Sequence, residues 1–147
     1  MRVIAGSARG MRLATPEGQD TRPTPEKVKE AVFSSINFEL ADKRVLDLFA
    51  GSGQLGIEAL SRGAAFAVFA DSSAAAVDII KGNLKKTHFE DFAEVYRGGF
   101  EECIKRSNKP YDIVFLDPPY ALKLWQPAIE LLQSRGLCGE TSLIIAE

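Results

Sequence analysis

From residue 43 onward, short apolar segments alternate with segments of helical character, and this alternation constrains the fold more than any other feature of the sequence. The apolar segments predict strands at residues 44–49, 66–70, 93–97, 111–116 and 142–146. The segments between them predict helices at residues 54–62, 74–86, 100–106 and 125–134. Nearly continuous apolar strands joined by helices are typical of a parallel sheet covered on both faces. We therefore expect a doubly wound, Rossmann-like α/β sheet in three layers, with ligands at the carboxyl ends of its strands.

A different pattern precedes the sheet. Residues 2–5 and 11–14 are two brief runs around a Gly-rich centre, which predicts a short β-hairpin. Thr24 as N-cap and Pro25 as the first helical residue then predict the start of a helix. Its core-facing stripe is predicted from apolar residues that recur every fourth position, with two more alongside: Val28, Val32, Ile36 and Leu40, together with Ala31 and Phe33. We expect residues 1–23 to form a basic hairpin unit and residues 24–147 to form the main domain.

Length and composition exclude several classes of protein. The chain has 147 residues, of which 46% are hydrophobic and 26% charged, as in one soluble globular domain. No segment approaches the ~18 apolar residues that a membrane span needs. The two cysteines, Cys103 and Cys138, are far apart, and His88 is the single histidine. This argues against a metal site or a disulfide framework and predicts a reducing, cytoplasmic environment.

Charge is distributed unevenly although the net charge is only −2. Residues 1–14 contain Arg2, Arg9 and Arg12 and no acidic residue, and Arg22 follows. A basic segment on an otherwise acidic chain predicts a local contact with a polyanion. A solvated loop with scattered arginines is the alternative.

A glycine-rich segment follows the first predicted strand. Gly51, Gly53 and Gly56 match G-x-G-x-x-G, and Asp71 ends the second strand twenty residues after Gly51. This is the spacing of a dinucleotide-binding loop with its ribose-binding acid, so a nicotinamide enzyme is one interpretation. Asp47 would repel a pyrophosphate but would favour the ammonium and sulfonium charges of S-adenosylmethionine. A strand–helix turn without a ligand, in which Asp71 only caps the next helix, is the alternative.

The fourth predicted strand leads directly into Asp117-Pro118-Pro119-Tyr120. The two prolines stiffen the turn because each ring fixes φ and neither residue has an N–H group to donate. The segment therefore offers a carboxylate, a rigidly placed carbonyl and an aromatic ring, which suits a planar base with an exocyclic amine. A proline-rich loop that only ends the strand is the alternative.

Together, the Asp47-x-x-x-Gly51-x-Gly53 and Asp117–Tyr120 motifs resemble those of class I S-adenosylmethionine-dependent amino-methyltransferases. Segments near the N-terminus make the resemblance narrower, toward the RsmD-type bacterial 16S rRNA guanine-N2 methyltransferases. These segments are residues 2–6, 9–10, 22–24 and 29–33, with Leu13 and Pro16. The resemblance covers essentially the whole chain. Because relatives continue with an antiparallel hairpin, we expect strands 6 and 7 of the family sheet to be absent here.

The resemblance implies roles for individual residues. The implied cofactor-binding residues are Thr24, Asp47, Phe49, Gly51, Gly53, Asp71, Gly99 and Phe100. Among them, Asp47 and the two glycines would line the methionine end, Asp71 would hold the ribose, and Gly99 and Phe100 would flank the adenine. The implied catalytic residues are Asp117, Pro118 and Tyr120, and the implied RNA contacts are Arg2, Arg9, Arg12 and Arg22.

The implied enzyme transfers a methyl group from S-adenosylmethionine to a guanine N2 amine in ribosomal RNA, either free or in the small subunit. From the sequence itself we expect no metal; the sequence does not determine the oligomeric state, for which a monomer is the default expectation. Three alternatives stay open: an adenine-N6 methyltransferase on DNA or RNA, a nicotinamide dehydrogenase, and a non-catalytic RNA- or protein-binding module.

Overall fold

The computed structural model describes residues 1–15, 26–116, 125–138 and 143–146. Strands and helices alternate as predicted, and their ends lie within two residues of the predicted ones. The strands are β1 (Arg44–Leu48), β2 (Phe66–Asp71), β3 (Ala93–Arg97), β4 (Ile113–Leu116) and β5 (Leu143–Ala146). The helices are α1 (Glu26–Ile36), α2 (Gln54–Ser61), α3 (Ala74–Thr87), α4 (Phe100–Arg106) and α5 (Trp125–Ser134), with short 3-10 turns at Asn37–Glu39 and Glu90–Phe92.

The five strands form one parallel sheet in the order β3-β2-β1-β4-β5. The order of strands reverses direction between β1 and β4, so the switch point lies between their carboxyl ends. At this edge Leu48 is in register with Ala70 of β2 and with Leu116 of β4. The predicted doubly wound α/β fold is therefore confirmed, and the loops that follow β1 and β4 flank the place where such sheets bind ligands.

Helices cover both faces of the sheet. Alternate residues of the strands point to opposite faces, as the pleat requires. On one face Phe69 and Phe115 pack in a cluster with Phe33 of α1 and Ile80 of α3. On the other face the cluster contains residues of β1, α4 and α5, such as Leu46, Ile104 and Leu132. Burial on both faces explains why the strand sequences are nearly continuously apolar.

The core-facing stripe of α1 differs from the predicted one. Phe33, Ile36 and Leu40 are buried as predicted. Val28, however, is 40% exposed, Ala31 is also exposed, and Lys29 is buried. The prediction was wrong at Val28 and Ala31 because hydrophobic spacing cannot anticipate a buried lysine. The Lys29 ammonium is accommodated by an ion pair with Glu58 of α2, at 3.1 Å between Nζ and Oε1.

The predicted N-terminal hairpin is present and packs on the main core. An antiparallel bridge joins Arg2 to Arg12, and the Val3 N–H group donates to the Met11 carbonyl at 2.9 Å. The side chains of Val3 and Leu13 are buried in the same cluster as the α1, α2 and α3 side chains. The hairpin therefore shares its hydrophobic core with the sheet. None of the helices in the described ranges is long and apolar enough to cross a membrane.

Candidate functional site

The loops that follow β1, β2 and β3 are joined to one another at the carboxyl edge of the sheet. Asp71, the last residue of β2, accepts the Gly51 N–H group at Oδ2 and the Ser73 N–H group at Oδ1, both at 2.9 Å. Its backbone carbonyl accepts the Gly98 N–H group at 3.0 Å. The predicted ribose-binding acid therefore holds the glycine-rich loop, the start of α3 and the turn after β3 in one arrangement.

The glycine-rich loop has an unusual backbone. Phe49, Gly51 and Gly53 all have positive φ, at 62°, 61° and 78°. Glycine adopts this conformation at little cost, whereas Phe49 is strained there. Two backbone–backbone hydrogen bonds help to hold the turn, from Ala50 N–H to the Ala70 carbonyl at 2.9 Å and from Gly53 N–H to the Ala50 carbonyl at 2.8 Å. The loop is thus folded tightly, with its backbone near the switch point.

Asp47 lies beneath this loop. Its side chain is 2% exposed, and Oδ2 accepts the Gly56 N–H group at 3.0 Å. Because this carboxylate contacts the first turn of α2, it also complements the helix dipole. The predicted cofactor residue therefore has a structural task as well, because it fixes where α2 begins relative to β1.

The third glycine of the motif serves packing. A Cβ atom on Gly56 would lie 2.4 Å from the Phe69 ring, which α2 crosses closely. Gly51 differs, because a Cβ atom there would meet no described atom within 4 Å. The same is true of Gly99, whereas a Cβ atom on Gly53 would lie 3.3 Å from the Ile80 and Phe69 side chains.

Two predicted cofactor residues from different loops meet. Phe49 and Phe100 are both half-buried, and their ring centroids lie 5.7 Å apart at an interplanar angle of 46°. Phe100 is the first residue of α4, with Gly99 as its N-cap. The pair forms an aromatic wall beside the glycine-rich loop.

Buried polar side chains fasten the hairpin to α2. The Glu58 carboxylate accepts the N–H groups of Ile4 and Ala5, at 2.9 and 3.1 Å. Glu58 is also paired with Lys29 and with Arg62, the latter at 2.8 Å. Burial would raise the pKa of Glu58, but the Ile4 hydrogen bond and the two cationic partners bring this pKa below its ordinary value. Burial lowers the pKa of Lys29, against the raising effect of the Glu58 charge.

Two further side chains, one at the end of α2 and one on α3, also bond to the backbone of the hairpin. At the end of α2, Ser61 Oγ accepts the Ala8 N–H group at 2.9 Å and donates to the Ala5 carbonyl at 2.6 Å. On α3, the Asn83 side chain, which is 2% exposed, bonds to both the N–H and the carbonyl of Ala14. It also donates to the carbonyl of Ser52 in the glycine-rich loop at 2.9 Å.

The predicted RNA-contacting arginines occupy different environments. Arg2 forms an exposed ion pair with Glu26, at 3.0 Å between Nη2 and Oε1. Arg9 and Arg12 are exposed on the hairpin. Five predicted site residues lie outside the described residues: Arg22, Thr24, Asp117, Pro118 and Tyr120. Within the described ranges, no group of His, Cys, Asp and Glu side chains could hold a metal ion.

Sequence reasoning missed the residues that join the hairpin to the main domain: Lys29, Glu58, Ser61 and Asn83. The available signal was a polar side chain on the apolar face of a predicted helix. Each of these residues is buried and finds its partner far along the chain, for example 69 residues away for Asn83 and Ala14.

Comparison with known proteins identifies the family. The family model described as "Conserved hypothetical protein 95" matches residues 1–147. The protein YlbH of Bacillus subtilis is 41% identical over 150 residues, which cover 100% of this chain and 82% of that protein. Ribosomal RNA small subunit methyltransferase D of Escherichia coli is 35% identical over 147 residues, 100% of this chain and 74% of the relative. The chain belongs to the RsmD family.

Structural similarity agrees with membership of the RsmD family. A solved structure of the Escherichia coli protein yhhF superposes with a TM-score of 0.88 at 35% identity, over 98% of this chain and 78% of that one. The fold is that of the class I methyltransferases. The resemblance to RsmD-type proteins that the sequence motifs predict is therefore confirmed, including its extent over the whole chain.

Proposed function

We propose that this protein transfers the methyl group of S-adenosylmethionine to the exocyclic N2 amine of a guanine in small-subunit ribosomal RNA. The proposal rests on one observation. This chain belongs to the RsmD family, and its Asp47–Gly53 loop, anchored by Asp71, lies beside the switch point of the sheet. The rRNA substrate is suggested by relatives that are named small-subunit rRNA methyltransferases. The guanine N2 specificity rests on the resemblance of the motifs.

The described residues fit S-adenosylmethionine. No described atom lies within 4 Å of a Cβ atom built on Gly51 or Gly99, and the Phe49–Phe100 wall offers a flat apolar surface for an adenine ring. Asp71 uses one lone pair of each oxygen for a backbone N–H group, which leaves acceptor capacity for ribose hydroxyls. The buried negative charge of Asp47 would stabilise the cationic methionine end.

Gln54 is a further candidate ligand-binding residue, which the sequence motifs did not indicate. It is the first residue of α2, is 5% exposed, and its Oε1 atom has no hydrogen-bond partner among the described residues. A buried acceptor without a donor costs free energy. We propose that an N–H group of a bound ligand satisfies this oxygen.

The bound cofactor would supply an electrophilic methyl group, and the chain would orient the amine that receives it. Asp117 and the Pro118 carbonyl would each accept one N–H bond of guanine N2, and Tyr120 would stack on the base. This arrangement would direct the nitrogen lone pair at the methyl carbon, so that the N–C bond would form as the sulfonium S–C bond breaks, with the neutral thioether as leaving group and the surplus amine proton passing to water. Catalysis would come from orientation and electrostatics. Stacking contributes ~1–3 kcal/mol per base in comparable cases.

The hairpin would hold the RNA. Arg9 and Arg12 are exposed and lie on a hairpin whose backbone is bonded to α2 and α3. Contacts with phosphates position a nucleic acid without reading its sequence. Arg2 would contribute less because its guanidinium already pairs with Glu26.

The test is incubation of the protein with labelled S-adenosylmethionine and small ribosomal subunits that lack this modification, followed by analysis of the nucleosides. We expect N2-methylguanosine as the labelled product. N6-methyladenosine would replace the proposal with an adenine-specific enzyme. Cofactor binding without any labelled nucleoside would favour a non-catalytic RNA-binding role.

A further inference from the structure

Asn83 is the side chain that joins the hairpin to the glycine-rich loop. A neutral asparagine has one acceptor oxygen and two N–H donors. Its oxygen accepts the Ala14 N–H group at 2.8 Å, and its amide nitrogen donates to the carbonyls of Ala14 and Ser52, both at 2.9 Å. The amide therefore uses its two donors on two different parts of the chain.

The bond to Ser52 fixes one peptide plane at both ends. Asn83 holds the carbonyl of the 52–53 peptide, and the N–H group of the same peptide donates to Ala50 at 2.8 Å. This plane joins Ser52 to Gly53 and leads directly into α2, and both Gly53 and the nearby Gly51 have positive φ. Rotation of the plane would reorient the backbone that borders the proposed cofactor site.

The contact between Ala14 and Asn83 depends on docking of the rest of the hairpin onto the end of α2. The far end of the hairpin rests on Ser61, where the Ser7 N–H group donates to the Ser61 carbonyl at 2.9 Å. Gly6 has a φ of +89°, and a Cβ atom there would lie 1.9 Å from the Ser61 oxygen. A side chain at position 6 would therefore force the hairpin away from α2.

We propose that Asn83 is a positioning residue that couples docking of the hairpin to the conformation of the cofactor loop. Displacement of the hairpin withdraws Ala14 from Asn83, frees the amide to rotate, and releases the Ser52 carbonyl. Affinity for S-adenosylmethionine then falls although no residue of the loop has changed. This inference rests on the proposed function, since it takes S-adenosylmethionine as the ligand of the loop.

The test is a double-mutant cycle in which calorimetry measures the Kd for S-adenosylmethionine in the absence of RNA. Gly6→Ala should raise this Kd by about five- to tenfold, the equivalent of one lost hydrogen bond. Gly10→Ala is the matched control: its φ of +83° imposes a similar backbone strain, but its Cβ atom would meet no described atom within 4 Å. It should leave the Kd within about twofold of the wild-type value.

The second arm of the cycle introduces Asn83→Ala, and separately Asn83→Asp, which keeps the volume and the acceptor for Ala14 N–H but lacks both donors. Each should raise the Kd alone, and Gly6→Ala should then have little further effect. The Ser52 hydroxyl also contacts Met1 Sδ at 3.7 Å, a weak acceptor that leaves at most a small residual coupling.

The outcomes distinguish failure of the coupling through Asn83 from failure of the proposed function. Additive effects of Gly6→Ala and the Asn83 substitutions overturn the coupling, as does an equal effect of Gly6→Ala and Gly10→Ala on the Kd. If the Asn83 variants do not fold, an equal Kd for the two glycine variants still overturns the coupling. A wild-type protein that binds no S-adenosylmethionine overturns the proposed function and this inference together. Because coupling is reciprocal, an RNA that binds the docked hairpin more tightly than the undocked one should also tighten cofactor binding in the wild type and not in Asn83→Asp.

Discussion

Asp71 accepts a backbone N–H group with each carboxylate oxygen and is also the proposed ligand of the ribose. A substitution there should therefore loosen the loops and weaken the contact with the cofactor. In Asp71→Asn one oxygen is replaced by a donor, which cannot accept the N–H group of Gly51 or Ser73. The Gly51 bond is part-buried and the Ser73 bond is exposed, so water can satisfy the released N–H group and the loss of one bond should cost ~0.5–1.5 kcal/mol. We expect the Kd for S-adenosylmethionine to rise at least about tenfold by calorimetry. Asp78→Asn, an exposed change on α3, should leave the Kd unchanged.

Substitution of Asp117, in contrast, should affect methyl transfer and not the affinity for the cofactor. If it orients the amine of the base, Asp117→Ala should abolish methyl transfer while the affinity for S-adenosylmethionine stays nearly the same. Single-turnover assays on small ribosomal subunits would measure the transfer, and calorimetry the affinity. Turnover close to that of the wild type would contradict the assigned role.

Helix α2 crosses β2 so closely that its packing can be tested with a pair of glycines. Gly56→Ala should destabilise the protein by ~1–3 kcal/mol, because the new methyl group would lie 2.4 Å from the Phe69 ring. Gly82→Ala, within α3, meets no described atom within 4 Å and should stabilise by ~0.5–1 kcal/mol through helix propensity. Urea unfolding measures both changes. A similar effect at the two positions would contradict the packing argument.

Most of the elements could be predicted from the sequence because their signals are local. The apolar strands, the glycines after β1 and the start of α2 follow from patterns within a few residues. The stripe of α1 could not be predicted, since the buried position of Lys29 depends on Glu58, a residue on another helix. The strained backbone at Phe49 also has no local signal, because the hydrogen bond between Ala50 and Ala70 holds that turn.

The candidate site was predictable to a similar degree. Its acids and glycines lie where their spacing places them, at the ends of β1 and β2. Their structural tasks were not predictable, because the Asp47 contact with Gly56 and the Asp71 contact with Gly51 depend on the three-dimensional arrangement of loops. The contributions of Gln54 and Asn83 were missed for the same reason.

For the whole molecule, the buried Glu58 network predicts how stability depends on pH. The pKa of Glu58 in the folded state lies below its ordinary value of 4.5, so the unfolded chain binds more protons between these two values. The Glu58 contribution is therefore fully present above about pH 4.5 and is lost as the pH falls through the folded pKa. Acidification below pH 4.5 should destabilise the protein.

Glu58→Gln should change this profile in two ways. At neutral pH the variant should be less stable by ~3–5 kcal/mol, the usual cost of removing one partner of a buried ion pair. Below pH 4.5 its free energy of unfolding should fall less steeply than that of the wild type, because the titrating carboxyl is gone. Urea titrations from pH 3 to pH 7 would measure both curves, and parallel curves would contradict the assignment to Glu58.

The way the hairpin is attached also affects the order in which the chain can fold during synthesis. Its backbone groups bond to side chains that lie 53 to 69 residues later, on α2 and α3. Translation proceeds at roughly 5–20 residues per second, so the hairpin emerges seconds before its partners exist. Its arginines are thus exposed on an undocked segment while the ribosome that makes them, itself built on RNA, is still close by.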